Sequence, residues 1–333
     1  MTFDIRLTRR SALRLAGAGT IAVAATRARG RLALAQDATP TAGGASGESF
    51  AGLGLPELTV TISDTAFEGV PDQLAPGTYL VHANYTGSQS GNVTFMQLPE
   101  GMTSSDLMTA LGGGDTGGET GSPVATGGEE EGGGEPPEWF YTTHIAGGAG
   151  VGPGQTAHFV ITLQPGNYVV WGEDPSAPQT PVDLTVGGEP ATAEASAGAT
   201  PQAAVTITEV ATDDGFAFQL DGDLAAGSQL VAVTNGSDQP HFVEFDRVPD
   251  GTTREDVDAV MQSFMTGTPT AGGLTENDFQ IVYLVGTQSA GTTQWHEIPL
   301  EAGTYVVSCW IPDPTRGGTP HAMEGMYDVV TAS

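Results

Sequence analysis

Cys309 is the only cysteine in a chain of 333 residues, so it has no partner for an intramolecular disulfide. It ends an apolar run, Tyr305-Val306-Val307-Ser308-Cys309, and precedes a loop rich in Pro and Gly. Then comes His321-Ala322-Met323-Glu324-Gly325-Met326, with His241 upstream. Each of these residues has a plainer use when taken singly. A lone buried Cys packs as a small hydrophobe, and a His after Pro can satisfy a turn. Taken together and in this order, a thiolate, two imidazoles and a thioether suit a soft, redox-active cation. Copper is that ion, and a trigonal His2Cys set with a long axial Met is the blue-copper electron-transfer arrangement.

Short β-rich runs bounded by turn residues must position these side chains. Between residues 204 and 333 the runs are Val205–Val210, Phe216–Leu220, Leu230–Asn235, His241–Arg247, Ile281–Val285, Thr292–Leu300, Thr304–Trp310 and Met326–Thr331. Eight short strands at such spacing predict a sandwich or barrel. One helix interrupts them: Thr252 or Thr253 can cap it, Glu255 and Asp256 suit its first turn, and Val257, Val260, Met261 and Phe264 follow helical spacing. Along a strand, His241 shares a face with Val243 and Phe245, and Cys309 shares one with Val307 and Tyr305. Both candidate ligands are thus expected to point inward at strand ends.

The chain repeats itself. Gly154 to Val170 matches Gly291 to Val307, with Leu163, Gly166 and Tyr168 answering to Leu300, Gly303 and Tyr305. Upstream, Val93 to Leu107 matches Val243 to Val257, including Phe95 with Phe245 and Gly101 with Gly251. Two collinear blocks indicate duplication, with modules at 52–187 and 204–333 and Gly/Ala-rich linkers at 36–51 and 188–203. The first module carries a weaker helix near Ser104–Leu111, followed at 112–137 by a Gly/Glu-rich insertion that reads as a flexible surface loop. The first module also supplies an internal control. Gly91 stands where the second has His241, Gly172 stands where it has Cys309, and no His/Met pair follows.

The N-terminus reads as an address label. Thr8-Arg9-Arg10-Ser11-Ala12-Leu13 precedes a weakly apolar stretch, and Ala33-Leu34-Ala35 offers a cleavage site, which resembles a twin-arginine export signal over residues 1–35. No later segment is apolar enough to span a membrane. The chain has no lysine and a net charge of −30; seven of its ten arginines precede residue 36, so removal of that segment leaves three basic residues against 39 acidic ones. Such a chain has nothing with which to neutralise phosphates, which excludes nucleic acid as a partner.

The segments Val233-Thr-Asn235-Gly-Ser-Asp-Gln-Pro240-His241, Gly303-Thr-Tyr305-Val-Val-Ser-Cys309 and His321-Ala-Met-Glu-Gly325-Met326 resemble the cupredoxin family, the plastocyanin- and azurin-like blue copper proteins. That resemblance implies an all-β chain of two tandem cupredoxin-like Greek-key sandwiches, with a short helix in each. It implies His241, Cys309 and His321 as equatorial copper ligands and Met326 as the axial one, in the second module alone. Three features depart from the pattern. The Cys-to-His loop holds eleven residues, more than is usual; Phe242 stands where the plastocyanin-like pattern has Asn; and Met323 offers a second thioether. Enzymatic relatives fit poorly. There is no His-x-His pair for an oxygen-reducing cluster, and no His adjoins Cys309 to relay electrons to a nitrite site. His82, His144, His158 and His296 lack zinc-like spacing and read as strand or loop residues. The expectation is an exported electron carrier with a protein redox partner. A copper carrier without fast electron transfer, and a structural or adhesive sandwich with an empty site, are the alternatives.

Overall fold

The computed structural model describes residues 47–88, 91–110, 136–173, 180–189, 200–266 and 273–333. The export signal, and most of the insertion and of both linkers, lie outside the described residues. The first module carries β1 (Glu57–Ile62), β2 (Phe67–Glu68), β3 (Gln73–Leu74), β4 (Gly77–Tyr85), β5 (Gly91–Gln97), helix α1 (Ser104–Ala110), β6 (Ile145–Val151), β7 (Thr156–Leu163), β8 (Gly166–Trp171) and β9 (Val182–Val186). The second carries β10 (Val205–Thr212), β11 (Gly215–Asp221), β12 (Gly227–Asn235), β13 (His241–Arg247), helix α2 (Arg254–Thr266), β14 (Gln280–Gln288), β15 (Thr293–Leu300), β16 (Gly303–Ser308), β17 (Pro312–Asp313), β18 (Thr319–Pro320) and β19 (Tyr327–Ala332).

The strands form two layers. One sheet runs β11-β10-β12-β15-β7-β4-β1-β2 and the other β19-β16-β13-β14-β6-β5-β8-β9-β3. Successive strands cross between the layers, β4 to β5, β6 to β7 and β7 to β8, as a Greek-key sandwich requires. The same crossings recur from β12 to β16. Duplication is visible in register as well as in order. Thr94 faces Trp171 and Phe95 faces Val170 in the first module, where Glu244 faces Ser308 and Phe245 faces Val307 in the second.

The two sandwiches do not hang as separate beads. Each sheet is continuous across both, through β7 with β15 and β6 with β14, and each of those strands pairs with its own counterpart in the duplicate. The β6–β14 seam explains an unpromising strand, Ile145-Ala-Gly-Gly-Ala-Gly-Val151. Backbones approach β6 so closely on both sides that a Cβ on Gly148 would lie 1.9 Å from the carbonyl oxygen of Val93 on β5. One on Gly286 would lie 2.6 Å from the Gly148 carbonyl carbon. Glycine weakens a strand by its propensity, yet only glycine fits where another backbone comes this close.

One apolar core threads both modules. Val243, Phe245 and Val307 are wholly buried in it beside Val93, Phe95 and Val170. Burial of each such side chain contributes roughly 1.5–3 kcal/mol, and this packing holds β13 against β16. The faces opposite Val243 and Phe245 are covered too, since Glu244 and Asp246 have no exposed surface. A smaller cluster of Phe50, Leu80, Val160 and Leu230 lies apart from this core, with Leu53, Leu55 and Trp295 packed against it.

Candidate metal centre

β13 opens with His241, and Cys309 directly follows the last residue of β16. The antiparallel pairing of these strands brings the two to one end of the sandwich. His321 arrives by the Cys-to-His loop, whose extra length is folded rather than loose. Pro312 and Asp313 pair with Pro320 and Thr319 as a short ladder. The His321 N–H donates to the Ile311 carbonyl, the Ala322 N–H to that of Cys309 (2.7 Å), and the Met326 N–H to that of His321. The Cys309 N–H closes the ring by donating to the Met326 carbonyl. Gly325 turns the chain between His321 and Met326 at φ 103°, a left-handed conformation that glycine adopts without strain.

The loop and strands bring His241, Cys309 and His321 together, with their ligand atoms within 4.8 Å of one another and all three side chains buried. Each imidazole turns Nδ1 toward the cysteine sulfur, at 3.6 Å in both cases. Metal–sulfur bonds of about 2.3 Å and metal–nitrogen bonds of about 2.0–2.1 Å, at angles between tetrahedral and trigonal, put sulfur and nitrogen roughly 3.6–3.8 Å apart. The donor spacing therefore fits a single cation. Met326 has no exposed surface, whereas Met323 is half-buried at the core margin.

A hydrogen-bond network that the sequence reading did not assign fixes both rings. Nε2 of His241 lies 2.7 Å from Ser237 Oγ, which can give its own proton to Asn235 Oδ1 at 2.9 Å. Nε2 of His321 lies 3.2 Å from Gln239 Oε1, and Gln239 in turn donates to Asp313 Oδ1 at 3.0 Å. Both imidazoles thus carry their proton on Nε2, leaving the Nδ1 lone pairs facing the sulfur. Asn235 anchors the turn that supplies Ser237 and Gln239, donating to the carbonyls of Gln239 (2.7 Å) and Gln288 (3.1 Å). Gln288 donates to Glu209 Oε2 at 3.0 Å. An Asn-Gly-Ser-Asp-Gln turn next to a candidate His was the available signal; what it lacked was any mark of which polar atoms turn inward.

The pocket is closed to solvent, with His241, Cys309 and His321 all lacking exposed surface, and burial disfavours isolated charge. Phe216 lies over both imidazoles, with ring centres 4.7 Å from His241 and 4.5 Å from His321. Burial, with a smaller contribution from the neighbouring His321, holds His241 well below the usual imidazole range. Burial likewise lowers His321 to about 4 against the opposing pull of Asp313. Burial drives the Cys309 thiol far up, opposed by the backbone N–H groups of Phe242 and Ile311. Phe242, which stands where the plastocyanin-like pattern has Asn, thus serves the sulfur through its backbone. Burial would raise Asp313, but donation from Gln239 and Thr315 outweighs it and holds the carboxyl below its ordinary range. Burial raises Glu209 to about 8. Two neutral imidazoles and a thiol that ionises only with a positive neighbour make a receptor for a cation.

The first module reaches this loop. Tyr141, in a short 3-10 turn at Glu138–Tyr141, donates its hydroxyl to the Pro312 carbonyl at 3.0 Å. On the far side, Trp310 donates to Ser308 Oγ at 2.9 Å and packs edge-on against Phe264 of α2.

No protein-family model and no curated protein sequence matches the chain. Among solved structures it is similar to a dithionite-reduced auracyanin from Roseiflexus castenholzii, at 19% identity over 40% of this chain and 99% of that one, with a TM-score of 0.25. It is similar to a copper nitrite reductase from Nitrosomonas europaea at 13% identity, over 83% of this chain and 93% of that one, with a TM-score of 0.22. Rusticyanin from Thiobacillus ferrooxidans is similar at 18% identity, over 38% and 76% of the two chains, with a TM-score of 0.21. In its own strand order and side chains, the molecule is a pair of cupredoxin-like sandwiches. The C-terminal one holds a buried His241-Cys309-His321 cluster, with Met326 bonded to its backbone, that resembles a type 1 copper site.

Proposed function

We propose that this chain is an exported electron carrier that holds one copper ion with His241, Cys309, His321 and Met326. The observation that carries the reading is the pair of 3.6 Å separations from Cys309 Sγ to two Nδ1 atoms, each ring pinned through Nε2. Copper in that pocket supplies one-electron oxidation and reduction. Cys309 and the two histidines supply donors that need not move between the two states. Ser237 and Gln239 keep the lone pairs aimed, and Phe216 keeps water away from the rings. A hydrophobic, hydrogen-bonded surround of this kind tunes redox potential.

A carrier suits the site better than a catalyst, because neither imidazole nor the thiol has exposed surface for a substrate to reach. A copper carrier or buffer with a loose site and no fast electron transfer is the second reading, and the hydrogen-bonded Cys-to-His loop argues against it. Export rests on Arg9-Arg10 and the Ala33-Leu34-Ala35 segment. The partner is a redox protein, and the chain's charge excludes nucleic acid. Among the described residues no helix is long and apolar enough to cross a membrane.

Metal analysis with a visible spectrum tests this. One equivalent of copper and an intense thiolate-to-copper band are expected, both lost in Cys309→Ala. A chain that binds no copper, or a band that survives that substitution, overturns the reading. Slow self-exchange in a loaded sample would favour the second reading.

A further inference from the structure

A second group of metal-ligating side chains lies on the first sheet, at the seam between the modules. His82 on β4 faces His158 on β7, and His158 faces Glu297 on β15 across the seam between modules. Directly opposed cross-strand residues have Cβ atoms about 4.5–5.5 Å apart, so the three form one transverse row. The Nδ1 atoms of the two histidines lie 2.7 Å apart, with the rings edge-on at 4.9 Å between centres. His82 Nε2 lies 3.5 Å from Glu57 Oε2. Glu297 is almost wholly buried and accepts from Ser228 Oγ at 2.7 Å and from the Ser49 N–H at 3.3 Å. The start of the described chain covers the pair: a Cβ on Gly47 would sit 3.2 Å from His158 Nδ1.

From this geometry we propose a second metal site, in which His82 Nδ1 and His158 Nδ1 take a borderline divalent cation of the Zn2+ or Cu2+ kind. Imidazole donors suit such ions. The Glu57 carboxylate, 3.5 Å from Nε2, favours a proton on that nitrogen; His82 then keeps its lone pair on Nδ1, and the proton in the 2.7 Å contact belongs to His158. The cation displaces that proton, which moves to Nε2 of His158 or to solvent. Metal–nitrogen bonds of about 2.0–2.1 Å require the nitrogens to spread, and the less buried His82 ring is the one free to turn. Glu57 then completes the carboxylate–histidine–metal arrangement that orients metal-bound imidazoles, and Glu297 adds a neighbouring negative charge. The separation of 76 positions between the two histidines hid this pair from any spacing rule.

The test uses the full chain with the first centre disabled by Cys309→Ala and His321→Ala, so its outcome is independent of the copper reading. Zn2+ is titrated by calorimetry and bound metal is counted after dialysis. One equivalent is expected, with affinity falling by more than the roughly 10–100-fold of an outer-shell change when His158→Gln or His82→Gln is added. Circular dichroism of the metal-free variants reports folding. His82→Gln, on the more exposed ring, serves if His158→Gln does not fold. No bound Zn2+ in the disabled background, or binding indifferent to both substitutions, overturns the proposal.

Discussion

The two modules share a backbone plan and differ at the end where the second gathers its cluster. Gly91 pairs with Val151 where His241 pairs with Gln288, and Ile62 pairs with Tyr85 where Glu209 pairs with Asn235. Four polar members of that end of the second module, His241, Gln288, Glu209 and Asn235, thus have glycine, apolar or aromatic counterparts in the first. The space is not left open. A Cβ on Gly91 would meet the Tyr85 hydroxyl at 1.6 Å, so Tyr85 fills the volume where His241 would begin. The fold closes equally well either way. A cluster of ligands therefore requires its supporting amides and hydroxyl as much as the ligands, because a buried imidazole N–H without an acceptor is expensive.

The sharpest way to break this comparison is to put the ligand into the plugged module. Gly91→His is expected to destabilise by about 1–3 kcal/mol, the range for overpacking a filled core, with most of the loss restored by adding Tyr85→Ala. Urea unfolding of the single and double variants measures it, and an additive result would show that Tyr85 is not the plug. Next in size is the support in the second module. Gln239→Leu leaves the His321 N–H without its acceptor and is expected to cost about 1–3 kcal/mol. It should also shift the visible band of the copper-loaded protein, which a purely structural residue would leave in place.

Glu209 sharpens the contrast through pH. Its carboxyl is raised from 4.5 to about 8 in the fold, so between those limits the unfolded chain has released a proton that the folded one keeps. Stability from this group is full below pH 4.5 and declines as pH rises toward 8. Glu209→Gln should therefore flatten the fall in melting temperature across that interval, and an unchanged slope in thermal scans would discard the idea. The smallest effect is expected at the join between modules. Tyr141→Phe removes one hydrogen bond onto the ligand loop and should cost about 0.5–1.5 kcal/mol, read by denaturant midpoint, with a minor change in the copper spectrum.

Much of the second module was legible residue by residue. All eight of its longer strands and its helix lie, within a few residues at their ends, where β-rich runs bounded by turns and a capped helical spacing put them, because those signals act over a few residues. β6 was not legible, since Gly147, Gly148 and Gly150 argue against a strand until a facing backbone is known to press on them. The β17–β18 ladder was hidden in what reads as a Pro/Gly loop. His82 and His158 lie on strands, as their surroundings in sequence suggest, but no spacing marks that they face each other across β4 and β7; Phe50 falls in a linker by composition, yet packs with Leu80, Val160 and Leu230.

The order and types of His241, Cys309, His321 and Met326 were enough to name a soft metal and the end of the sandwich that would hold it, because donor chemistry resides in single side chains. Tertiary structure alone decided that Ser237 and Gln239 aim the rings, that Tyr85 plugs the duplicate, and that both sheets run unbroken through the pair. Those facts depend on contacts between residues as much as 139 positions apart, as between His158 and Glu297. Strand register and close packing set such contacts, and neither is written in any local run of sequence.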